Sequence, residues 1–341
     1  MQLFEYAAPT TKEQAAGLLG NRWEDAAVFA GGTDLLSSMK DNLLAPRRIV
    51  DIKSIREFGG IEYNTSSGLR LGALTTLEEL RVHPQVRKSY PGITEAAEGI
   101  TSPQMRSRGT VGGDMCQRPR CWYYRAGFGL LAKDEQSRAL VPNGENRYHA
   151  ILGNSGPAYF VNPSSLAPVL IALGAKARLY SSTGQRDVPL EQFFTIPKTD
   201  NERENVLKPN EILTEIIIPG GAWRTATYEV RQKEALDWPL SAAAVALRMK
   251  GSRVESARIV LGHVAPIPWR APEAEKVLAG KTITEQTALD TGNAAVREAK
   301  PLSQNGYKVQ LARVAVKRAL LRAAQAGGPS TLGGAGVEGG A

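Results

Sequence analysis

The chain has 341 residues, 42% of them hydrophobic, and a formal net charge of +8. That length accommodates two or three domains with a sizeable core, and the absence of any run of about 18 apolar residues excludes a membrane-spanning helix. Basic residues are interspersed with acidic ones, with short spots only at Arg106–Arg108 and Arg118–Arg125, so a solvated basic surface with a local patch is expected rather than a nucleic-acid groove.

Taken in order, MQLFEYAAPT has neither a basic n-region nor an apolar h-region, so no export signal of its own and a cytoplasmic location are expected, with export alongside a partner as the alternative. Phe4-Glu5-Tyr6 reads as a strand, and Thr10-Thr11-Lys12-Glu13 has capping-box spacing ahead of a helix that stops at Gly20. Val28 to Ala30 should end a buried strand and Leu35 to Lys40 should begin a helix. The turn between them, Gly31-Gly32-Thr33-Asp34, lets backbone approach a ligand with no Cβ in the way. Helix N–H groups beyond such a turn favour an anion. Asp34 would repel a phosphate, so it should turn away and bond backbone amides. A glycine pair alone is more often a plain turn.

Strands follow at Arg48–Ile52, near Ile61 and at Leu69–Leu71, and Thr75 with Glu78 repeats the capping-box spacing. Strand and helix alternate, so the N-terminal part is mixed α and β. After a helix at Pro91–Gly99 comes a second glycine stretch, Thr101-Ser102-Pro103-Gln104-Met105-Arg106-Ser107-Arg108-Gly109-Thr110-Val111-Gly112-Gly113-Asp114. Residues 116–160 are irregular, and Arg118 to Arg125 interleaves cations with aromatics. Ala167–Ala177 reads as an apolar helix leading to a strand at Lys176–Tyr180, and Glu211–Ile218 as a further strand. Beyond Pro219-Gly220-Gly221 the pattern changes. Three antiparallel strands are expected at Tyr228–Val230, Ala242–Met249 and Val254–Leu261, then helices at Ala271–Leu278, Glu285–Glu298 and Val309–Ala324. The tail from Gly327 has no core-forming residues and should be disordered.

AGGTDLL at 30–36 followed by SPQMRSRGTVGGD at 102–114 resembles the FAD-binding (medium) subunit of the molybdenum hydroxylases, the xanthine, carbon monoxide and aldehyde dehydrogenase type. Asn162-Pro163-Ser164-Ser165-Leu166 and Leu207-Lys208-Pro209-Asn210-Glu211 extend the resemblance. It implies an α+β fold: a two-subdomain FAD-binding domain of the vanillyl-alcohol-oxidase-like (PCMH) type over residues 1–221, split at about 55. A small C-terminal domain with a three-stranded antiparallel sheet and helices would occupy 222–326, with the tail at 327–341.

Carried over residue by residue, the resemblance makes Ala30, Gly31, Gly32, Thr33, Asp34 and Leu35 the first pyrophosphate loop. Thr101 opens the second stretch, in which Thr110, Gly112 and Gly113 form the second loop with Thr110 donating its hydroxyl. Asp114 stands where many relatives have Asn, Ser165 where they usually have an Asp beside the adenosine, and Leu240 where they approach the isoalloxazine ring. Some aldehyde-oxidising relatives hold a [4Fe–4S] cluster near Cys116 and Cys121. Two cysteines fall short of the four thiolates a cluster normally needs, so free thiols are expected, with a disulfide as the alternative. The histidines His83, His149 and His263 have no metal-ligand spacing, and no catalytic constellation stands out. The resemblance implies non-covalent FAD on this chain, a molybdenum-cofactor large subunit and a [2Fe–2S] small subunit as partners, and electron transfer to NAD, quinone or oxygen. The other reading is a flavin-free interaction subunit of the same complex, on the strength of the Asp114 and Ser165 departures.

Overall fold

The computed structural model of the chain describes residues 1–233 and 237–325; the expected disordered tail, and Ala235 and Leu236 ahead of Leu240, lie outside the described residues. Among the described residues twelve strands form three sheets. β1 (Glu5–Ala7), β2 (Ala27–Phe29) and β3 (Arg48–Asp51) make a parallel sheet in the order β1-β3-β2. Parallel strands need crossover connections, and a helix at Lys12–Gly17 stands between β1 and β2, with Leu35–Lys40 between β2 and β3. Ala15, Val50, Ile52 and Phe58 are buried beneath this sheet.

β4 (Ile61–Asn64), β5 (Gly68–Gly72), β6 (Lys176–Ser181), β7 (Gly184–Pro189) and β8 (Ile212–Ile218) form an antiparallel sheet in the order β4-β5-β8-β6-β7. Its apolar face joins one core with the helices Leu77–Val82, Pro91–Gly99 and Ala167–Ala172. The β8 run ILTEIII is buried at alternate positions towards its end, while Glu215 faces Arg70 and Arg178 across the sheet.

The last sheet departs from expectation. It has four strands, not three: β9 (Arg224–Val230), β10 (Ser241–Lys250), β11 (Arg253–Gly262) and β12 (Trp269–Arg270), in the order β12-β11-β10-β9. The added strand is two residues long and follows Pro266 and Pro268, too short to show any alternation in sequence. β10 is buried without interruption from Ser241 to Leu247. Its small side chains let the helix Tyr307–Gln325 and the helix Ala167–Ala172 both pack against the sheet.

Both helix caps lie one residue later than the capping-box spacing suggested, and only the second is a reciprocal box. Thr11 caps the first helix and accepts from Gln14 N–H at 3.3 Å. In the second, Thr76 and Glu79 form the box, because the Thr75 hydroxyl donates to Gly60 C=O at 2.8 Å and is taken. Glu78 then pairs with Arg81 and Arg106.

Candidate functional site

The two glycine stretches meet. The first runs from β2 into the helix Leu35–Lys40; the second takes in the short helix Pro103–Arg108 and the first turn of the next, Val111–Cys116. A Cβ on Gly31 would sit 1.8 Å from the Arg108 carbonyl oxygen, so only glycine permits this approach. Gly32 has φ of +72°, a left-handed conformation that favours glycine. Together the loops border a cleft of about 330 Å³. Ala30 to Leu35 line it from one side, Thr110, Gly112 and Gly113 from another, and Trp23, Leu43, Leu44 and Leu207 supply an apolar end.

The loops differ in what they offer. None of the N–H groups of Gly31, Gly32, Thr33 and Asp34 has an acceptor among the described residues. In the second loop three of the four amides are in use, and Thr110 N–H alone has no acceptor among the described residues. Val111 N–H donates to Thr75 C=O at 2.9 Å, Gly112 N–H to Ala73 C=O at 2.8 Å, and Gly113 N–H to Thr110 Oγ1 at 3.1 Å. Thr110 Oγ1 is therefore an acceptor within the loop and keeps its own O–H to donate.

Asp34 is half-buried and its carboxylate holds the segment 118–125. Oδ2 accepts Arg118 N–H at 2.8 Å, while Oδ1 pairs with Arg120 Nη1 at 3.1 Å and Arg125 Nη2 at 2.8 Å. Two guanidinium groups on one carboxylate leave a net positive charge beside the cleft. Arg125 also donates to Ser38 Oγ at 2.8 Å, and Arg118 pairs with the buried Glu204 at 3.0 Å. Reading the segment as an aromatic run missed these contacts. A carboxylate and its arginines separated by more than eighty residues leave no local pattern. Trp122, Tyr123 and Tyr148 are edge to face on this segment, and Trp122 is 38% exposed.

Asp114 does not face the first loop. Its Oδ2 accepts from the Ser164 hydroxyl and from Leu166 N–H (3.2 Å), and its Oδ1 from Gln117 Nε2 at 2.9 Å. Burial pushes this carboxyl up to about 6 against those donors. Ser165 is buried in the turn that Asp114 caps. Thr101 precedes the helix at 103–108. Leu240 lies apart from the first cleft, in the wall of a second one of about 230 Å³. Cys116 lines the first cleft and Cys121 the second, both as free thiols; burial pushes Cys116 up to about 12.

The family model for the FAD binding domain in molybdopterin dehydrogenase matches residues 2–221. The chain belongs to that family. A second model, the CO dehydrogenase flavoprotein C-terminal domain, matches residues 226–323. The chain is 31% identical over 322 residues to the carbon monoxide dehydrogenase medium chain of Hydrogenophaga pseudoflava, covering 93% of this chain and 96% of that one. It is 29% identical over 316 residues to an aldehyde oxidoreductase FAD-binding subunit of Escherichia coli, covering 92% and 96%. Its fold matches the structure of the Hydrogenophaga pseudoflava enzyme that lacks the Mo-pyranopterin moiety of its cofactor, with a TM-score of 0.74 at 30% identity over 95% and 98% of the chains. This molybdopterin dehydrogenase relative is thus an FAD-binding medium subunit of the molybdenum hydroxylase type and an oxidoreductase component. Among the described residues no helix is long and apolar enough to cross a membrane.

Proposed function

We propose that the chain carries non-covalent FAD as the electron-transfer subunit of a molybdenum hydroxylase. Electrons would arrive from [2Fe–2S] clusters on a small partner subunit, supplied by a molybdenum cofactor on a large one, and leave to an external acceptor in the cytoplasm. The domain division at 221/222 and the vanillyl-alcohol-oxidase-like (PCMH) type of the first domain are part of this reading. What carries it is the set of four N–H groups without acceptors, Gly31 to Asp34, beside the free O–H of Thr110.

Those residues fit a pyrophosphate. Gly31, Gly32, Thr33 and Asp34 would donate backbone N–H bonds to its oxygens, and Thr110 its hydroxyl. Gly112 and Gly113 keep the second loop free of side chains, and Ala30 and Leu35 flank the first. The carboxylate of Asp34 does not oppose a phosphate, because Arg120 and Arg125 neutralise it. Trp23, Leu43 and Leu207 give an apolar end suited to an adenine base. Asp114 and Ser165 shape the turn behind the second loop, Thr101 leads into the helix before that loop, and Leu240 would approach the isoalloxazine ring. Bound FAD supplies the redox chemistry, since it exchanges electrons one or two at a time.

The absorption spectrum of the purified chain tests this reading, with release of intact FAD on denaturation. A chain that is colourless and takes up no FAD on incubation overturns it. Gly113→Asp is the informative variant, because a Cβ there meets only Thr110 Oγ1, at 3.1 Å, and the added charge would face the phosphate. Partnership is tested by co-expression with the neighbouring reading frames and size-exclusion chromatography; oxidation of a substrate by the chain alone would overturn the subunit reading.

A further inference from the structure

The apolar end of the first cleft is not wholly apolar, since Arg203 and Asn205 line it beside Trp23 and Leu207. Trp23 stands on the connection ahead of β2 and Arg203 on the one ahead of β8, so two different sheets bring them together. The segment that carries Arg203 is pinned by its backbone. Thr195 N–H donates to Glu204 C=O at 3.0 Å, and Val206 N–H to Phe193 C=O at 2.9 Å. The Arg203 guanidinium then lies 4.0 Å from the Trp23 ring centre, a flat cation over a flat ring.

What Arg203 lacks is a hydrogen bond. Among the described residues none of its side-chain N–H groups has an acceptor, and its buried Nε stands 3.7 Å from Glu204 Oε2. Glu204 is buried and has a nearer partner in Arg118 Nη1, at 3.0 Å. Two guanidinium groups against one carboxylate leave this wall a net positive charge, as they do at Asp34. Burial, and then the neighbouring Arg118, lower Arg203 to about 10, which keeps it charged at pH 7. Asn205 Oδ1 accepts Leu207 N–H at 3.2 Å, and its Nδ2 has no acceptor among the described residues. A stacking face, a positive charge and an amide donor in want of an acceptor suit a flat base, rich in ring nitrogens, on an anionic ligand.

No residue lines both clefts, so the first is complete without the wall that Leu240 forms. On the reading above that the loop amides take a pyrophosphate, we propose that the first cleft by itself is a site for an adenine nucleoside diphosphate. The base lies against the Arg203–Trp23 stack, and Asn205 Nδ2 donates to one of its ring nitrogens. The two phosphates take the amides of Gly31 to Asp34. Free ADP then competes with FAD for the empty chain and slows its loading.

The test uses the purified full chain, stripped of FAD and titrated by calorimetry with FAD, ADP and inorganic pyrophosphate. ADP should bind as one equivalent, more tightly than pyrophosphate, and should raise the apparent Kd for FAD in proportion to its concentration. Arg203→Lys keeps the charge and loses the flat stack, so it should weaken ADP about tenfold and leave pyrophosphate unchanged. Trp23→Phe keeps a ring and should retain most of the affinity. Because Arg203 donates no side-chain hydrogen bond to the protein, Arg203→Lys should also keep the wild-type thermal midpoint. A chain that binds FAD, while ADP neither binds nor competes, overturns the proposal and leaves the cofactor reading standing. A chain that binds ADP as described but takes up no FAD supports the site and overturns the cofactor reading instead. Wild-type ADP affinity in Arg203→Lys would show that charge alone draws the nucleotide, and would overturn the stack as the seat of the base.

Discussion

The two glycine loops look alike in sequence and work differently in the structure. GGT at 31–33 has backbone N–H groups to spare, whereas Val111, Gly112 and Gly113 spend theirs on Thr75, Ala73 and Thr110. The first loop can recognise an anion through its main chain and is indifferent to many side-chain changes. The second is a more fixed wall, in which only Thr110 keeps donors to spare. A glycine motif thus signals close approach of backbone, and only the surrounding bonds say whether that backbone is a ligand or a support.

The largest effect should come from forcing the loops apart. Gly31→Ala places a methyl 1.8 Å from the Arg108 carbonyl, and we expect complete loss of flavin with much of the chain insoluble. An unchanged ratio of flavin to protein absorbance would break the comparison at its root. Next comes the anchor of the first loop. Asp34→Ala leaves Arg120 and Arg125 without their carboxylate, and should cost about 3–5 kcal/mol in denaturant unfolding, as the loss of one partner from a buried ion pair does.

The support behind the second loop should show itself in pH dependence. A free Asp loses its proton near 3.8, and folded Asp114 holds its own up to about 6. Between those values the folded state binds the extra proton, so this residue's contribution to stability falls as pH rises from about 4 to about 6. Asp114→Asn should remove that slope, worth up to about 3 kcal/mol; denaturation curves at pH 4, 5, 6 and 7 measure it. Thr110→Val keeps the shape and deletes the hydroxyl. It should lose about 1 kcal/mol as a helix cap and bind FAD more weakly, read by titration of the stripped chain. Thr33→Ala should change FAD affinity least, because the first loop acts through its amides. An effect as large as that of Thr110→Val would erase the distinction between the loops.

What the sequence made legible was local. The strand, turn and helix around Gly31 follow from adjacent residues, and so do the helices at Leu35–Lys40 and Pro91–Gly99. Capping registers were misplaced by one residue because Thr75 and Thr76 each have a glutamate three positions on, and only the distant Gly60 carbonyl decides between them. Asp34 was expected to bond backbone amides, and one of its bonds is of that kind; its two arginines come from a segment read for its aromatic rings. Leu240 and the glycine loops were taken as parts of one site, yet they line two clefts. Side chains that meet across long separations leave no period and no spacing to read.

The carboxylate of Asp34 also fixes an order of events. Ribosomal synthesis releases residues 31–34 early, but the Arg108 carbonyl on which Gly31 rests and the arginines that hold Asp34 emerge some eighty residues later. Leu207 and Leu213, at the far wall, come later still. A nascent chain therefore has the first glycine loop long before it has the cleft that the loop borders. On the function proposed above, cofactor capture would belong to the nearly finished polypeptide, and in a cell short of FAD the completed but empty subunit would be the species exposed to proteolysis.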